Sequence, residues 1–517
     1  MRCIVSLIVA ASMIGSGAMA QALPPSQTSD AYFTGSAQRL STNLAQTPNT
    51  GPARNVIIFL GDGMGLSTVA ASRIFEGQQR GVDGESNSLV FEAFPFLALS
   101  KTYSADVQVT DSAAGITAIM TGLKTRNGVI GLTASAVREN CASAQGAMAL
   151  NLADIAKAAG RSTGVVTTTR LTHATPAGAY AHTPFRDWEG DADMPPDAKD
   201  AGCIDIARQL VEAPLASRMD VAMGGGRSRF LPESADGKRA DDRDLTTEWR
   251  ETGGPGAIYV SNADEMAAVN VTPTTRMLGL FANEHLPFEA DRPLTGEGVP
   301  TLAAMTLKAI EILRQNPNGY VLLVEGGRID MASHLGMAGR TVTETVAFAE
   351  AVKAALGVVD LDDTLVIVTA DHSHGLVLSG YADRNAPILG IAGDEGARVT
   401  GLDGKPYTTL MFATGPGGPD GVNEREDPAD MDTTSPDYRQ AAAVGLRSAA
   451  HSGEDVGIYA VGPQAYLFRG VVEETYTFHV ARRALGLDGG LPAPASPATA
   501  AKPRWKFLGF LGRPAAQ

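Results

Sequence analysis

A chain of 517 residues, 44% hydrophobic and 19% charged, carries enough apolar material for a large buried core, and this excludes disorder except at the ends. Its net charge of −15 excludes a general nucleic-acid binder, because a phosphate backbone needs a basic face. An acidic chain can still hold one phosphate in a locally positive pocket, provided bound metal ions supply the charge.

In chain order, Arg2 gives a short positive start, residues 3–15 are apolar, and Ala18-Met19-Ala20 has the small-x-small pattern of a cleavage site. Residues 1–20 therefore read as a secretory leader, with a mature chain from Gln21 and an exported protein, periplasmic or secreted. A short membrane anchor is the alternative, but the apolar run falls short of the about 20 residues that a span needs. No later segment is apolar enough to span, and none carries a lipidation signature. Residues 21–52 form a polar arm, in which residues 30–44 read as a helix with Tyr32, Phe33, Leu40 and Leu44 as its apolar positions.

The main globular domain is expected over residues 53–488. Asn55–Leu60 is a β-branched apolar run that ends in Gly61-Asp62-Gly63, the pattern of a buried parallel strand entering a tight turn. The design recurs at residues 319–324, which run into Glu325-Gly326-Gly327, and at Thr364–Thr369, which run into Ala370-Asp371-His372. Helical stretches lie between, at residues 301–313 and 341–356. Strands alternating with helices imply an α/β fold: a largely parallel central sheet with helices on both faces. Ligands in such sheets sit at the carboxyl ends of the strands, and three of these strands deliver an acid there.

Residues of about 186–265 are rich in Asp, Gly and Pro and show little periodicity. Those of about 380–450 read as an inserted smaller subdomain. The stretch 489–517 is Ala- and Pro-rich and is expected to be a disordered tail. Of three cysteines, Cys141 and Cys203 follow the leader; in an oxidising compartment a disulfide is expected, with two buried thiols as the alternative.

The chemistry-bearing residues gather in a few motifs. Asp330 and His334 are spaced i, i+4, so on a helix both point toward a common metal. Glu325 precedes them, Asp371-His372 adds a carboxylate and an imidazole, and Asp62 ends the first strand. Sets of Asp and His suit zinc, whereas oxygen-only sets suit magnesium. Ser112 opens an apolar helical run, where free backbone N–H groups favour an anion and a neighbouring metal can activate the hydroxyl. From that stretch alone, a simple helix cap remains open. Arg186 follows His182-Thr183-Pro184-Phe185; its planar fork can clamp two phosphate oxygens, or it can be an ordinary surface arginine.

Six motifs in order resemble the alkaline phosphatase family, and the match is close to its animal-type branch. They are Asn55 through Gly65, Thr110-Asp111-Ser112-Ala113-Ala114, the run from Val165 through Thr172-His173-Ala174-Thr175-Pro176-Ala177-Gly178, Val324 through Asp330, Thr369 through His374, and His451-Ser452-Gly453-Glu454-Asp455-Val456. The resemblance implies hydrolysis of phosphate monoesters through a phosphoserine at Ser112. It implies a first zinc on Asp330, His334 and His451, and a second on Asp62, Asp371, His372 and the Ser112 oxygen. Magnesium falls to Asp62, Thr175 and Glu325, phosphate to Arg186, a disulfide to Cys141 and Cys203, and a homodimer is expected. Two departures stand out. Met331 replaces the histidine found after the zinc aspartate in animal-type enzymes, which leaves His173 without that neighbour. Ala282 replaces a calcium-binding glutamate, so no calcium is expected. Rival readings are a phosphodiesterase or phosphomutase on a similar metal scaffold, and an exported phosphate- or metal-binding protein without turnover.

Overall fold

Strands that are aliphatic on both faces need cover on both, and this requirement organises the molecule. The computed structural model describes residues 23–489 apart from 215–216, 296–297, 395 and 423. The expected leader, and the expected tail from residue 490 on, lie outside the described residues. The chain divides into two compact units at Thr47/Pro48.

The first unit contains the helices Pro25–Thr28 and Ala31–Ala45. Asp30 caps the longer one, accepting from the backbone N–H groups of Tyr32 at 2.9 Å and Phe33 at 3.0 Å. This is the helix expected over residues 30–44. None of its residues is buried.

The second unit is built on strands β1 (Asn55–Leu60), β2 (Phe96–Lys101), β3 (Ser162–Arg170), β4 (Val221–Gly225), β5 (Ala257–Val260), β6 (Arg276–Leu280), β7 (Tyr320–Glu325) and β8 (Thr364–Thr369). After them come β9 (Leu376–Leu378), β10 (Gly393–Asp394), β11 (Ala397–Arg398), β12 (Leu410–Gly415), β13 (Ala442–Gly445), β14 (Val456–Val461) and β15 (Gly470–Glu473). Ten of these form one sheet in the order β15-β2-β14-β8-β1-β7-β3-β4-β6-β5. All its pairings are parallel except the two made by β14. The largely parallel sheet is therefore as expected, with one strand reversed.

The central strands are buried throughout, and their residues alternate between two cores. Val56, Ile58 and Leu60 of β1 join one core with Val321 and Leu323 of β7, while Ile57 and Phe59 join the opposite core with Leu322 and Val324. Helices cover both faces: Ser112–Thr121 lies in the first core, and Leu302–Leu313 and Ala338–Leu356 in the second. Thr301 caps the helix expected from it by accepting from Ala304 N. The helix expected over 341–356 begins earlier, at Ala338. Its first N–H group donates at 2.6 Å to the side chain of Gln440, a partner with no local sequence signal.

The region of about 186–265 departs from its irregular reading. It supplies β4 and β5, which with β6 complete one end of the sheet. Both strands are short, and β4 ends in two glycines, so neither carries a clear period. Within about 380–450, β12 pairs with β13 and also with β9, making a three-stranded sheet, and β10 pairs with β11. The small sheet shares a core of Leu376, Leu389, Leu410 and Phe412 with Ile74 of helix Leu66–Gln79 and Val342 of helix Ala338–Leu356.

Candidate metal centre

β1 lies between β7 and β8, with Leu60 level with Glu325 on one side and Thr369 on the other. This register brings Asp62, Glu325 and Asp371 to one end of the sheet. Three clusters form there, each with ligand-type atoms within 4.8 Å of one another: Asp330, His334, His374 and His451; Asp62, Asp371 and His372; and Asp62, His173 and Glu325. Asp62 belongs to two of them. Gly63, at φ 67°, passes between; a Cβ there would lie 2.9 Å from His374 Cδ2 and 3.3 Å from Asp330 Oδ1, so a larger residue is excluded.

In the first cluster the i, i+4 pair stands as expected on helix Arg328–His334, with His334 Nε2 3.4 Å from Asp330 Oδ2. His374, to which the sequence reading gave no role, has its Nε2 2.8 Å from Asp330 Oδ1. The only available signal was its place in the string Asp371-His372-Ser373-His374. Three histidines are oriented by backbone carbonyls: His334 Nδ1 lies 2.6 Å from Ala449 O, His372 Nδ1 3.2 Å from Ser373 O, and His451 Nδ1 3.0 Å from Thr110 O. A proton on Nδ1 leaves Nε2 as a lone-pair donor, the arrangement a metal ligand requires.

Ser112 is the first residue of helix Ser112–Thr121, capped by Asp111, whose side chain accepts from Ala114 N. Its Oγ lies 3.4 Å from Asp62 Oδ1 and 3.4 Å from His372 Nε2. Thr175 follows in helix Ala174–Ala177, its Oγ1 3.4 Å from Asp62 Oδ2. Glu325 is flanked by β3, where Thr167 and Thr169 donate to its Oε2. Arg186 Nη1 donates to Asp111 Oδ2 at 3.1 Å, and Nη2 lies 3.2 Å from His173 Nε2. Met331 turns to Arg328, whose Nη1 is 3.0 Å from the Met331 sulfur. Cys141 and Cys203 form a disulfide, packed with Trp188, Met194 and Ala198.

The electrostatics suit cations. Burial, then the charges of Asp371, Asp330 and Glu325, push the Asp62 carboxyl well above its usual range. Burial and Asp330 push Asp371 up to about 7. Burial pushes Glu325 to about 7 against the pull of its threonine hydroxyls. Burial opposes ionisation of Asp330 too, but the imidazoles of His334, His374 and His451 outweigh it and hold this carboxyl well below its usual range. Burial, with Arg186 and Arg170 close by, holds His173 well below the usual imidazole range, and burial, with the His451 imidazole beside it, does the same for His372; both shifts favour the neutral form that binds metals. Asp371 Oδ2 and Glu325 Oε1 are buried without a hydrogen bond. So many carboxyl groups packed together ionise only with positive charge beside them, and metal ions fit both the donors and the deficit.

The sheet and these clusters define a metal-dependent hydrolase. Residues 53–487 match the family model of alkaline phosphatase. The chain is 43% identical over 447 residues to an alkaline phosphatase of Gadus morhua, covering 84% of this chain and 92% of that one. It is 41% identical over 468 residues to the tissue-nonspecific alkaline phosphatase isozyme of Homo sapiens, covering 88% of each. Among solved structures, the alkaline phosphatase of Thermus thermophilus is 27% identical with a TM-score of 0.62, covering 90% of this chain and 96% of that one. The enzyme from the Antarctic bacterium TAB5, at 23% identity and a TM-score of 0.58, shares the fold over 84% of this chain and 99% of its own. This chain belongs to the alkaline phosphatase family. It is a phosphomonoesterase in a metal-dependent family.

Proposed function

We propose that the chain hydrolyses phosphate monoesters through a covalent phosphoserine at Ser112, in a site for two zinc ions and one magnesium ion. The observation that carries this reading is the place of Ser112 Oγ, 3.4 Å from both Asp62 Oδ1 and His372 Nε2 at a helix N-terminus. Asp330, His334 and His451 would hold the first zinc, Asp62, Asp371, His372 and the Ser112 oxygen the second, and Asp62, Thr175 and Glu325 the magnesium. Acid–imidazole sets favour zinc and oxygen sets magnesium. When bound, the metals supply Lewis-acid charge for loss of the Ser112 proton and for the leaving oxygen.

Ser112 Oγ attacks phosphorus, the ester P–O bond breaks, and the alcohol departs. Water then attacks the phosphoserine, the Oγ–P bond breaks, and inorganic phosphate leaves. Arg186, held by Asp111 and His173, keeps N–H groups for two non-bridging oxygens. The free N–H groups at the start of helix Ser112–Thr121 stabilise the same anion.

The reading extends to an exported homodimer with the catalytic unit at residues 53–488, a subdomain at about 380–450, and a tail at 489–517. Among the described residues, no helix is long and apolar enough to cross a membrane. To test the mechanism, wild type and Ser112→Ala are incubated with labelled inorganic phosphate at acid pH and analysed for metals. Label on Ser112 in wild type, with metals kept and turnover nearly abolished in the variant, is expected. Wild-type turnover in Ser112→Ala sinks the mechanism.

A further inference from the structure

His372 and His451 belong to different clusters, yet their rings stack at 3.6 Å with planes 17° apart. The two segments that carry them meet at one isolated antiparallel bridge, between Ser373 and Ser452. Its two hydrogen bonds are unequal: Ser452 N donates to Ser373 O at 2.9 Å, and Ser373 N to Ser452 O at 3.4 Å. Ser373 O also receives His372 Nδ1 at 3.2 Å. A bridge this short is weak by itself, since no ladder continues it on either side.

One further bond closes the junction. The Ser373 hydroxyl donates to Glu454 Oε1, three residues beyond His451. Ser373 is 2% exposed, and a Cβ on Gly65 would lie only 1.9 Å from its Oγ. The segment leaving Asp62 therefore passes close to the same hydroxyl, with no room for a side chain at Gly65. A single serine stands where three ligand-bearing segments meet: the one after Asp62, the one with Asp371 and His372, and the one with His451.

We infer that Ser373 and Glu454 are positioning residues that hold the first and second metal clusters in register. This rests on the two-metal reading above. Glu454 is at the surface and belongs to none of the clusters. Its tie to Ser373 stops the segment of His451 from sliding past that of His372. Hydrolysis at a two-metal site needs the attacking and leaving oxygens served together, so an error in spacing between the clusters slows turnover more than it weakens substrate binding.

The test uses the full-length protein, stripped of metal and reloaded with cobalt, whose visible absorption reports coordination geometry. Wild type, Ser373→Ala, Glu454→Ala, Glu454→Gln and the double alanine variant are compared for kcat, KM, cobalt uptake and spectrum. Each alanine variant should lose about tenfold in kcat with KM nearly unchanged, as for loss of one hydrogen bond to a charged group. Each should also show an altered cobalt spectrum. Glu454→Gln keeps an acceptor oxygen and should retain wild-type kcat and spectrum, and the double variant should lose no more than either single one. Ser373→Ala removes one oxygen and no bulk, so it serves if the Glu454 variants prove insoluble. Unchanged kcat and spectrum in Ser373→Ala overturn the inference, as does a Glu454→Gln variant that falls as far as Glu454→Ala. Failure of wild type itself to take up two cobalt ions with restored turnover would instead overturn the two-metal reading, and is distinguished by that first measurement.

Discussion

Asp111 accepts from Arg186 Nη1 at 3.1 Å while its other oxygen caps the helix that begins at Ser112. One carboxylate thereby fixes the helix of Ser112 relative to the guanidinium. Arg186→Ala should weaken phosphate inhibition and monoester turnover by about ten- to a hundredfold, the value of hydrogen bonds to a charged group, with the metals retained. A diester has one oxygen blocked and should depend on Arg186 less. Equal losses on an aryl monoester and the matching diester, measured in wild type and variant, would count against the clamp.

A second expectation concerns pH. Glu344 is buried away from the clusters, accepts a hydrogen bond from Glu289 N, and is pushed from 4.5 up to about 7, with burial the main cause. A folded-state value raised above the unfolded one gives stability present below pH 4.5 and lost as pH rises through about 7. Glu344→Gln imitates the protonated form and keeps an acceptor. Its melting temperature should be close to that of wild type at pH 4, below the unfolded value, and exceed it at pH 9, by an amount corresponding to at most about 3 kcal/mol. Equal melting temperatures at pH 9 would show that Glu344 carries no such cost.

The Cys141–Cys203 bridge closes a loop of 62 residues in sequence separation. On the chain-entropy account such a loop contributes about 4 kcal/mol. Denaturant midpoints with and without reductant should differ accordingly. Thiol titration of unreduced, denatured protein should find neither cysteine free.

Tyr32, Leu40 and Leu44 are exposed on a helix with no buried residue, an arrangement that suits burial against a second copy. The full chain is expected to sediment as a homodimer, and a truncation starting at Arg54 to lose it. A truncated protein that stays fully dimeric removes the role assigned to this arm.

Legibility differed by element for physical reasons. Asp62, Glu325 and Asp371 could be placed from sequence because each ends an aliphatic run, and β1, β7 and β8 are buried on both faces as such runs require. Asp330 and His334 were legible through helical spacing. His374 was not, since its contact with Asp330 joins β8's loop to a helix that follows another strand. The pairing of Asp111 with Arg186 was hidden likewise, as was the start of helix Ala338–Leu356, set by Gln440. β4 and β5 escaped notice because strands of five and four residues leave too little pattern.

The donors of the clusters begin at Asp62 and end at His451, so no cluster containing His451 exists until nearly the whole chain is in place. Under the proposed assignment, metal capture at that cluster is a late event and a report of completed assembly. An ion held by the finished site and not by the open chain acts as a latch on distant segments; at a free concentration a hundred times its dissociation constant, it adds about 2.7 kcal/mol per independent site. Chelation should therefore loosen the molecule as a whole, and the rate at which the ions escape should set how long it survives heating.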